Sequence, residues 1–507
     1  MISNLKIPSR PVRLLTSVRL LVAVLYRTRS ILIRFASRGF NARIISLAAA
    51  GGIIVSATPL SASDWPWFLG PDHTGISKET GLLSSWPADG PPVVWKRQIG
   101  TGYGAPSVRG DRLVVHHRQE GNEIIECCEI ASGKTVWKQS YPSHFTDPYG
   151  YNNGPRCSPV LTENHCYTLG AEGVLSCLSL TDGKPVWRRK LRDEYTIPDG
   201  FFGVGCSPIL EGNRLIVLVG GQPNAGVVAF DSQTGKTIWE AVGKSTWNGV
   251  LNEQGEACEW TGKEMVVSYS SPIVATIHGQ RHLLCLTRQG LVSLDPASGN
   301  ERLKYWFRPV VHESVNAARP VVVDDTVMLS AAYRLGAVCL RIKPDHRSYE
   351  VVWRDQRNLL THWSTAIALN GCYYGFSGRH EQEGELRCID AQDGSVVWST
   401  TGWDQPLTSL GQNAATGEIV DRDSGKVIPW PFYGRGSAIL AEGKFIVLGE
   451  RGTLALGVAQ REGWTEISRC RAPEMSYPSW AAPVLSNGRL YLRDEDSLVC
   501  LDLRSQQ

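Results

Sequence analysis

The chain has 507 residues with 52 Lys+Arg against 49 Asp+Glu, a formal charge of +3. That average conceals a division: residues 1–63 carry nine bases and no acid, leaving 43 bases against 49 acids from Asp64 onward. A mildly acidic body excludes a nucleic-acid binder that works through a basic field, and 42% hydrophobic residues exclude global disorder.

The first element is residues 44–63, IISLAAAGGIIVSATPLSAS, an uncharged apolar stretch behind Arg38 and Arg43. With small residues at Ser61-Ala62-Ser63, it has the three-part layout of a secretory signal. Residues 1–63 are therefore expected to direct export to the periplasm and to be removed. Gly51, Gly52 and Pro59 weaken the alternative of a retained membrane anchor, so no stable membrane insertion is expected. Residues 64–91 follow as a lead-in segment.

From residue 92 a repeat dominates. Trp closes a short motif in SGKTVW (132–137), DGKPVW (182–187), TGKTIW (234–239) and DGSVVW (393–398). SGNERLKYW (298–306) is a stretched copy, and EVVW (350–353) keeps only the strand. Each motif follows a short apolar strand such as GVVAFD (226–231), itself preceded by another such as RLIVLV (214–219). Ahead of these lies a Ser-Pro start, as in CSPVL (157–161), CSPIL (206–210) and SSPIV (270–274). Four short strands per unit and eight unit starts between residues 105 and 481 predict an all-β fold, an eight-bladed β-propeller of four-stranded antiparallel blades over 92–504. The eighth unit stops one strand short, at LVCLDL (498–503), and PVVWK (92–96) supplies a strand before the first unit begins. Pairing these ends closes the ring and removes two exposed sheet edges. Trp95, Trp137, Trp187, Trp239, Trp306, Trp353 and Trp398 are expected to pack on the neighbouring blade.

Thirteen cysteines are present. Aligned on the Gly turns, Cys127 shares its slot with Cys177, Ala229, Ser293, Cys339, Cys388 and Cys500, a recurrent small-residue position. Cys127 is read as strand packing on that ground; Cys128, whose slot mostly holds Leu, Ile or Phe, is less so, and a Cys127-Cys128 disulfide stays open. The two GKT strings lack the earlier Gly and the following helix of a phosphate loop. No metal-ligand spacing is found; DRDSG (421–425) suits a hairpin turn better than a calcium loop.

Segments just before each first strand approach a propeller's central funnel. They bring Asn152, Asn153, Arg156, His312, Asn316, Arg319, His362, Trp363, Arg435 and Trp480 together from positions spread over the chain. Loop-borne groups converging in this way are candidates for a ligand or partner site. Two polar insertions, 243–260 and 410–430, are candidates for a lid or a docking surface.

The strand-x-D-x-x-T-G-K-x-x-W pattern, clearest over Phe230–Trp239, resembles the PQQ-like repeat of the quinoprotein alcohol dehydrogenase-like superfamily. The lead-in DWPWFLGPDHTGIS (64–77) is similar to that of exported bacterial BamB-like propellers. The resemblance implies two functions. One is a non-catalytic monomeric scaffold taking a ligand, peptide or protein partner at its funnel. The other is an oxidoreductase using pyrroloquinoline quinone (PQQ) and calcium, for which Arg156, Arg319 or Arg435 would meet the quinone oxygens. The second needs carboxylate and amide ligands for the cation, and only Asp199 and Glu313 are acids placed in these segments. The scaffold reading is preferred, with no catalytic residue, metal or cofactor.

Overall fold

Strands such as RLIVLV carry branched apolar residues on both faces, which suits a strand covered on both sides rather than one that faces water. In a computed structural model, which describes residues 63–266, 268–413, 416 and 418–505, such strands sit in the middle of eight four-stranded antiparallel sheets. The expected export signal lies, apart from Ser63, outside the described residues. Blade 1 runs from Ser107–Arg109 to Thr135–Pro142, blade 2 from Val160–Leu161 to Pro185–Lys190, and blade 3 from Ile209–Glu211 to Thr237–Ala241. Blades 4, 5 and 6 start at Ile273–Ile277, Val321–Val323 and Ile367–Leu369. Blade 7 runs from Ser437–Ala441 to Gly463–Arg471. Blade 8 has only three strands of its own, from Val484–Ser486 to Ser497–Asp502, and Val93–Gln98 completes it. The ring is thus closed by the strand expected at 92–96, two residues longer than expected at its C-terminal end.

Six of the eight junctions between adjacent blades are each locked by one indole. Trp137 pairs with Cys127 within blade 1, and its Nε1–H donates to Leu180 O of blade 2 at 2.9 Å. Trp187 repeats this against Cys177 and Ser232 O (2.9 Å), and Trp353 against Cys339 and Ala391 O (2.9 Å). Trp95, Trp239 and Trp398 donate in the same way to Ile130, Pro296 and Gln460. The small residue opposite each indole makes room for it, which explains the recurrent Cys slot. All thirteen cysteines are free thiols, and burial pushes both Cys127 and Cys128 up to about 12.

The glycine of the next blade's turn completes the lock. Gly183 sits at φ +72°, where a side chain is strained, and a Cβ there would lie 2.5 Å from the Trp137 ring. Gly133, Gly235, Gly299 and Gly394 bear the same relation to the Trp of the preceding blade.

Trp306 departs from this scheme. In blade 4 the residue opposite Ser293, beside the same strand irregularity, is Leu303; Trp306 pairs with Gly290, three residues further along. Its ring packs edge-on against Trp247 at 5.8 Å. The stretched motif keeps its Trp but moves it out of the locking slot. Correspondingly, blade 5's turn, Lys343–Ser348, has no glycine.

The insertions take separate forms. Residues 243–260 include the short helix Lys244–Trp247 and bring Trp247 and Trp260 into the apolar core of blades 3 and 4. Residues 410–430 form the hairpin Leu410–Gln412 with Ile419–Asp421. Asp421 Oδ1 accepts the Ser424 N–H at 2.7 Å, so DRDSG closes a turn.

The lead-in is part of the propeller. Trp65 bridges to Val108 of blade 1, and Pro66 O accepts the Leu161 N–H of blade 2 at 2.8 Å. Ile76–Ser77 then pairs in parallel with the first strand of blade 7. The Glu79 carboxylate accepts the N–H groups of Asn487 (2.6 Å) and Gly488 (2.7 Å) in blade 8. The segment therefore ties together four neighbouring blades, 7, 8, 1 and 2, across the ring closure.

Blade 1 also buries charge. His117 Nδ1 accepts the Gly100 N–H at 3.0 Å, so its Nε2–H is the donor facing Glu126 at 3.2 Å. Arg97 pairs with the same carboxylate at 2.6 Å. Burial by itself would raise Glu126, but hydrogen bonds from His117, Thr135 and Arg97 outweigh it and hold the carboxyl below its ordinary value of 4.5. Burial lowers His117 from 6.5 despite its carboxylate partner. In both cases the unfolded chain binds more protons in acid, so stability is present above the ordinary values and is lost as pH falls through them. Between pH 7 and pH 3 the unfolding free energy of the wild type, read from urea titrations, is expected to fall by more than that of Glu126→Gln, the difference being on the order of 1 kcal/mol. Equal acid sensitivity in the two proteins would remove Glu126 from this role.

Candidate functional site

The eight first strands converge on the propeller axis, and side-chain periodicity decides what each presents there. In extended chain, residues two apart share a face. In five blades the residue before the Pro that leads into the first strand forms the floor of a central pocket, at Ala105, Ser158, Ser207, Ser271 and Ala482. These residues are small where backbones crowd together. Their hydroxyls link neighbours: the Ser158 N–H donates to Ser207 Oγ and the Ser207 N–H to Ser271 Oγ, both at 2.9 Å.

Two residues earlier in every blade, the chain supplies the wall. Tyr103, Tyr269, Trp363 and Trp480 are aromatic, Arg156 and Arg435 are basic, and Gly205 and Ala317 leave space. All eight line one pocket of about 350 Å³.

Arg319 occupies the floor position in blade 5 but does not face the pocket. It is 2% exposed, and its guanidinium donates to Phe68 O (3.1 Å), Ser271 O (3.3 Å) and Pro272 O (2.7 Å). Burial pushes it down to about 9. It stacks on the Phe68 ring at 5.2 Å, and Phe68 itself lines the pocket. The lead-in therefore forms part of the floor, held there by Arg319.

The rings make a continuous collar. Tyr269 meets Phe202 (5.4 Å), Phe202 meets Tyr151 (5.9 Å), Tyr151 meets Trp480 (5.5 Å), and Trp480 meets Trp363 (4.7 Å). His362 stacks on Trp363 at 4.7 Å and reaches the Tyr333 hydroxyl with Nε2 at 3.0 Å. Cations brace the collar: Arg435 lies 4.5 Å from the Trp363 centroid and 5.6 Å from that of Trp480. Arg435 is neutralised by Glu450, a fully buried carboxylate that accepts Arg435 Nη2 at 2.9 Å and Trp480 Nε1–H at 3.0 Å. On the opposite arc Arg156 pairs with buried Asp147 at 2.5 Å. Burial, with Arg435, Arg379 and His380 nearby, pushes His362 down to about 3, so it is neutral.

Of the ten residues expected at the funnel, Arg156, His362, Trp363, Arg435 and Trp480 line the pocket. Asn152 and Asn153 shape the loop behind Arg156, accepting the Gly154 N–H (2.9 Å) and the Asp147 N–H (2.7 Å) respectively. Asn316 is buried and donates to Thr287 O and Phe307 O, both at 2.9 Å. His312 is exposed outside the pocket, with its ring 6.3 Å from Phe201. Asp199 lies on the surface beside Arg192 at 3.3 Å, whereas Glu313 lines the pocket. Sequence reasoning missed Tyr103, Tyr151, Phe202, Tyr269, Tyr333 and Arg379. The repeat register identifies Tyr103 and Tyr269, each two residues before a floor residue. Tyr151 and Phe202 lie within segments already singled out, but nothing in the repeat marks Tyr333 or Arg379.

Among the described residues no three His, Cys, Asp or Glu side chains are grouped to hold a metal ion. The pocket wall offers one carboxylate, Glu313, against three arginines. Such a donor set does not fit a calcium–quinone pair, whose cation takes several oxygen ligands.

The family model described as "Outer membrane protein assembly factor BamB" matches residues 121–400. Among solved structures, the quinohemoprotein alcohol dehydrogenase from Comamonas testosteroni superposes with a TM-score of 0.55 at 13% identity, covering 88% of this chain and 81% of that one. BamB from Moraxella catarrhalis superposes with a TM-score of 0.49 at 13% identity, covering 82% of this chain and 99% of that one. No curated protein matches the sequence.

Proposed function

Because the chain belongs to the family of the outer membrane protein assembly factor BamB, we propose that it is an exported binding propeller, which holds a ligand or protein partner at the funnel pocket without transforming it. One observation carries this reading: most of the charged groups at the funnel, Glu313 and Arg379 apart, are already committed to other protein groups. Glu450 is spent on Arg435 and Trp480, Asp147 on Arg156, and Arg319 on the lead-in. What remains is a preformed aromatic enclosure, the usual character of a binding site. Fold alone does not distinguish a scaffold from an oxidoreductase, so the reading rests on the character of the site. The periplasm is the proposed location, with residues 1–63 removed. Among the described residues no helix is long and apolar enough to cross a membrane.

Adding PQQ and calcium to the purified protein and following dye-linked oxidation of alcohols and sugars tests the proposal. No turnover is expected, while cross-linking in the periplasm is expected to capture a partner that Trp480→Ala loses. Turnover abolished by Glu313→Gln would replace this reading with the PQQ-dependent oxidoreductase.

A further inference from the structure

We propose that the funnel pocket is a site for an acidic saccharide, a pyranose bearing a carboxylate or sulfate, with its ring against the aromatic collar and its anion at Arg379. The proposal rests on the funnel being the binding face and adds the chemistry of the occupant.

Shape is the first argument. A pocket of about 350 Å³ is at the small end of ligand sites. Adjacent rings of its collar are tilted against one another by 40–74°, from His362–Trp363 at one extreme to Tyr333–His362 at the other. A flat conjugated ligand wants parallel walls. A basket of tilted rings fits a puckered body with C–H groups on several sides, each able to meet the negative face of a ring.

Charge is the second. Trp363, Trp480 and Tyr333 already hold a guanidinium over the ring, Arg435 for the first two and Arg379 (4.6 Å) for the third. A cationic ligand seeking those rings would meet positive charge that is already there.

Hydrogen-bonding capacity is the third. The Arg379 guanidinium has no hydrogen-bond acceptor and no carboxylate partner among the described residues, unlike Arg156 and Arg435. Trp363 Nε1 and His362 Nδ1 also lack partners, but both atoms are buried behind the pocket surface. His362 Nε2 and the Tyr333 hydroxyl share a hydrogen bond in which either can donate. The accessible unmet group, the Arg379 guanidinium, is a donor, and it calls for a ligand rich in acceptor oxygens. A peptide brings one backbone N–H per residue, each needing an acceptor on burial. The wall offers the single carboxylate of Glu313. Sugar hydroxyls accept and donate, and a carboxylate or sulfate adds the charged acceptor that Arg379 lacks.

Calorimetric titration of the purified protein with trigalacturonate, galactose 6-sulfate, neutral galactotriose, triglutamate and 2-naphthoate provides the test. At least one of the two acidic sugars is expected to bind about tenfold or more tightly than galactotriose and to change tryptophan emission. Arg379→Gln is expected to remove that preference while leaving the neutral sugar's affinity unchanged. Tyr151→Ala, at a half-exposed position that spares folding, is expected to weaken both kinds of sugar. Equal affinity for acidic and neutral sugars overturns the role of Arg379. Binding of triglutamate or 2-naphthoate in place of the sugars overturns the saccharide but keeps the funnel as the binding face. If none of the five binds, the saccharide is overturned. Loss of the cross-linked partner in Trp480→Ala would then still uphold the funnel as a binding face, and its retention would overturn that as well.

Discussion

Trp137→Ala is expected to destabilise the protein by about 3–5 kcal/mol, read as a shift of the urea or guanidinium midpoint. The ring is 8% exposed, donates its N–H to blade 2 and roofs Gly183. Truncation therefore opens a cavity between two blades and strands the Leu180 carbonyl. Gly183→Ala attacks the same lock from the other side, because the added Cβ meets the ring at 2.5 Å in a left-handed backbone position. Blade 4 supplies an internal control. Leu303→Trp should not stabilise the protein, because blade 5 presents no turn glycine for an indole to cover. A loss below about 1 kcal/mol for Trp137→Ala would show that the blades are held by their strands and not by this rim contact.

Glu450→Ala is the second large effect, also about 3–5 kcal/mol, because it leaves the Arg435 guanidinium in a mostly buried position without its counter-charge. It also deprives Trp480 Nε1–H of its acceptor. The collar should loosen, so tryptophan emission shifts to the red and binding at the funnel is lost. The double substitution Glu450→Leu with Arg435→Met separates these consequences. Replacing the whole ion pair by apolar groups is expected to recover most of the stability. Binding should not return, because the cation that braces Trp363 and Trp480 is gone. Recovery of both properties in the double variant would mean that the pair serves packing alone.

A central reading that the structure upholds follows from spacing. Eight unit starts, six of them marked by Pro, eight sets of short strands and a stray strand at residues 92–96 are visible in the string, and ring closure follows from counting them. The Cys slot is equally legible, since Cys127 and Cys177 align without any coordinates. Trp306 shows the limit of counting: a three-residue stretch in the motif keeps the letter Trp but shifts its register, so Leu303 takes the slot. Only backbone pairing reveals this, because a strand position is defined by its partner across the ladder.

The site divides along the same line. Repeat register alone marks the eight wall positions from Tyr103 to Trp480, because alternate residues of an extended strand share a face and the first strands all converge on one axis. Which of those residues face free space, and which are already taken, depends on partners that the repeat does not mark. Arg319 is claimed by Phe68 of the lead-in at a separation of 251 positions, and Arg435 by Glu450, 15 positions on, in the turn after the second strand of its own blade. The sequence by itself determined the blades, their number and their closure, which rest on local periodicity and on the cost of leaving a sheet edge unpaired. Tertiary structure decided that the lead-in floors the funnel, that two of the three candidate arginines serve as braces and the third as an anchor, and that Arg379 is left free. Those outcomes are set by which buried charge finds a partner in three dimensions, and no spacing along the chain encodes that.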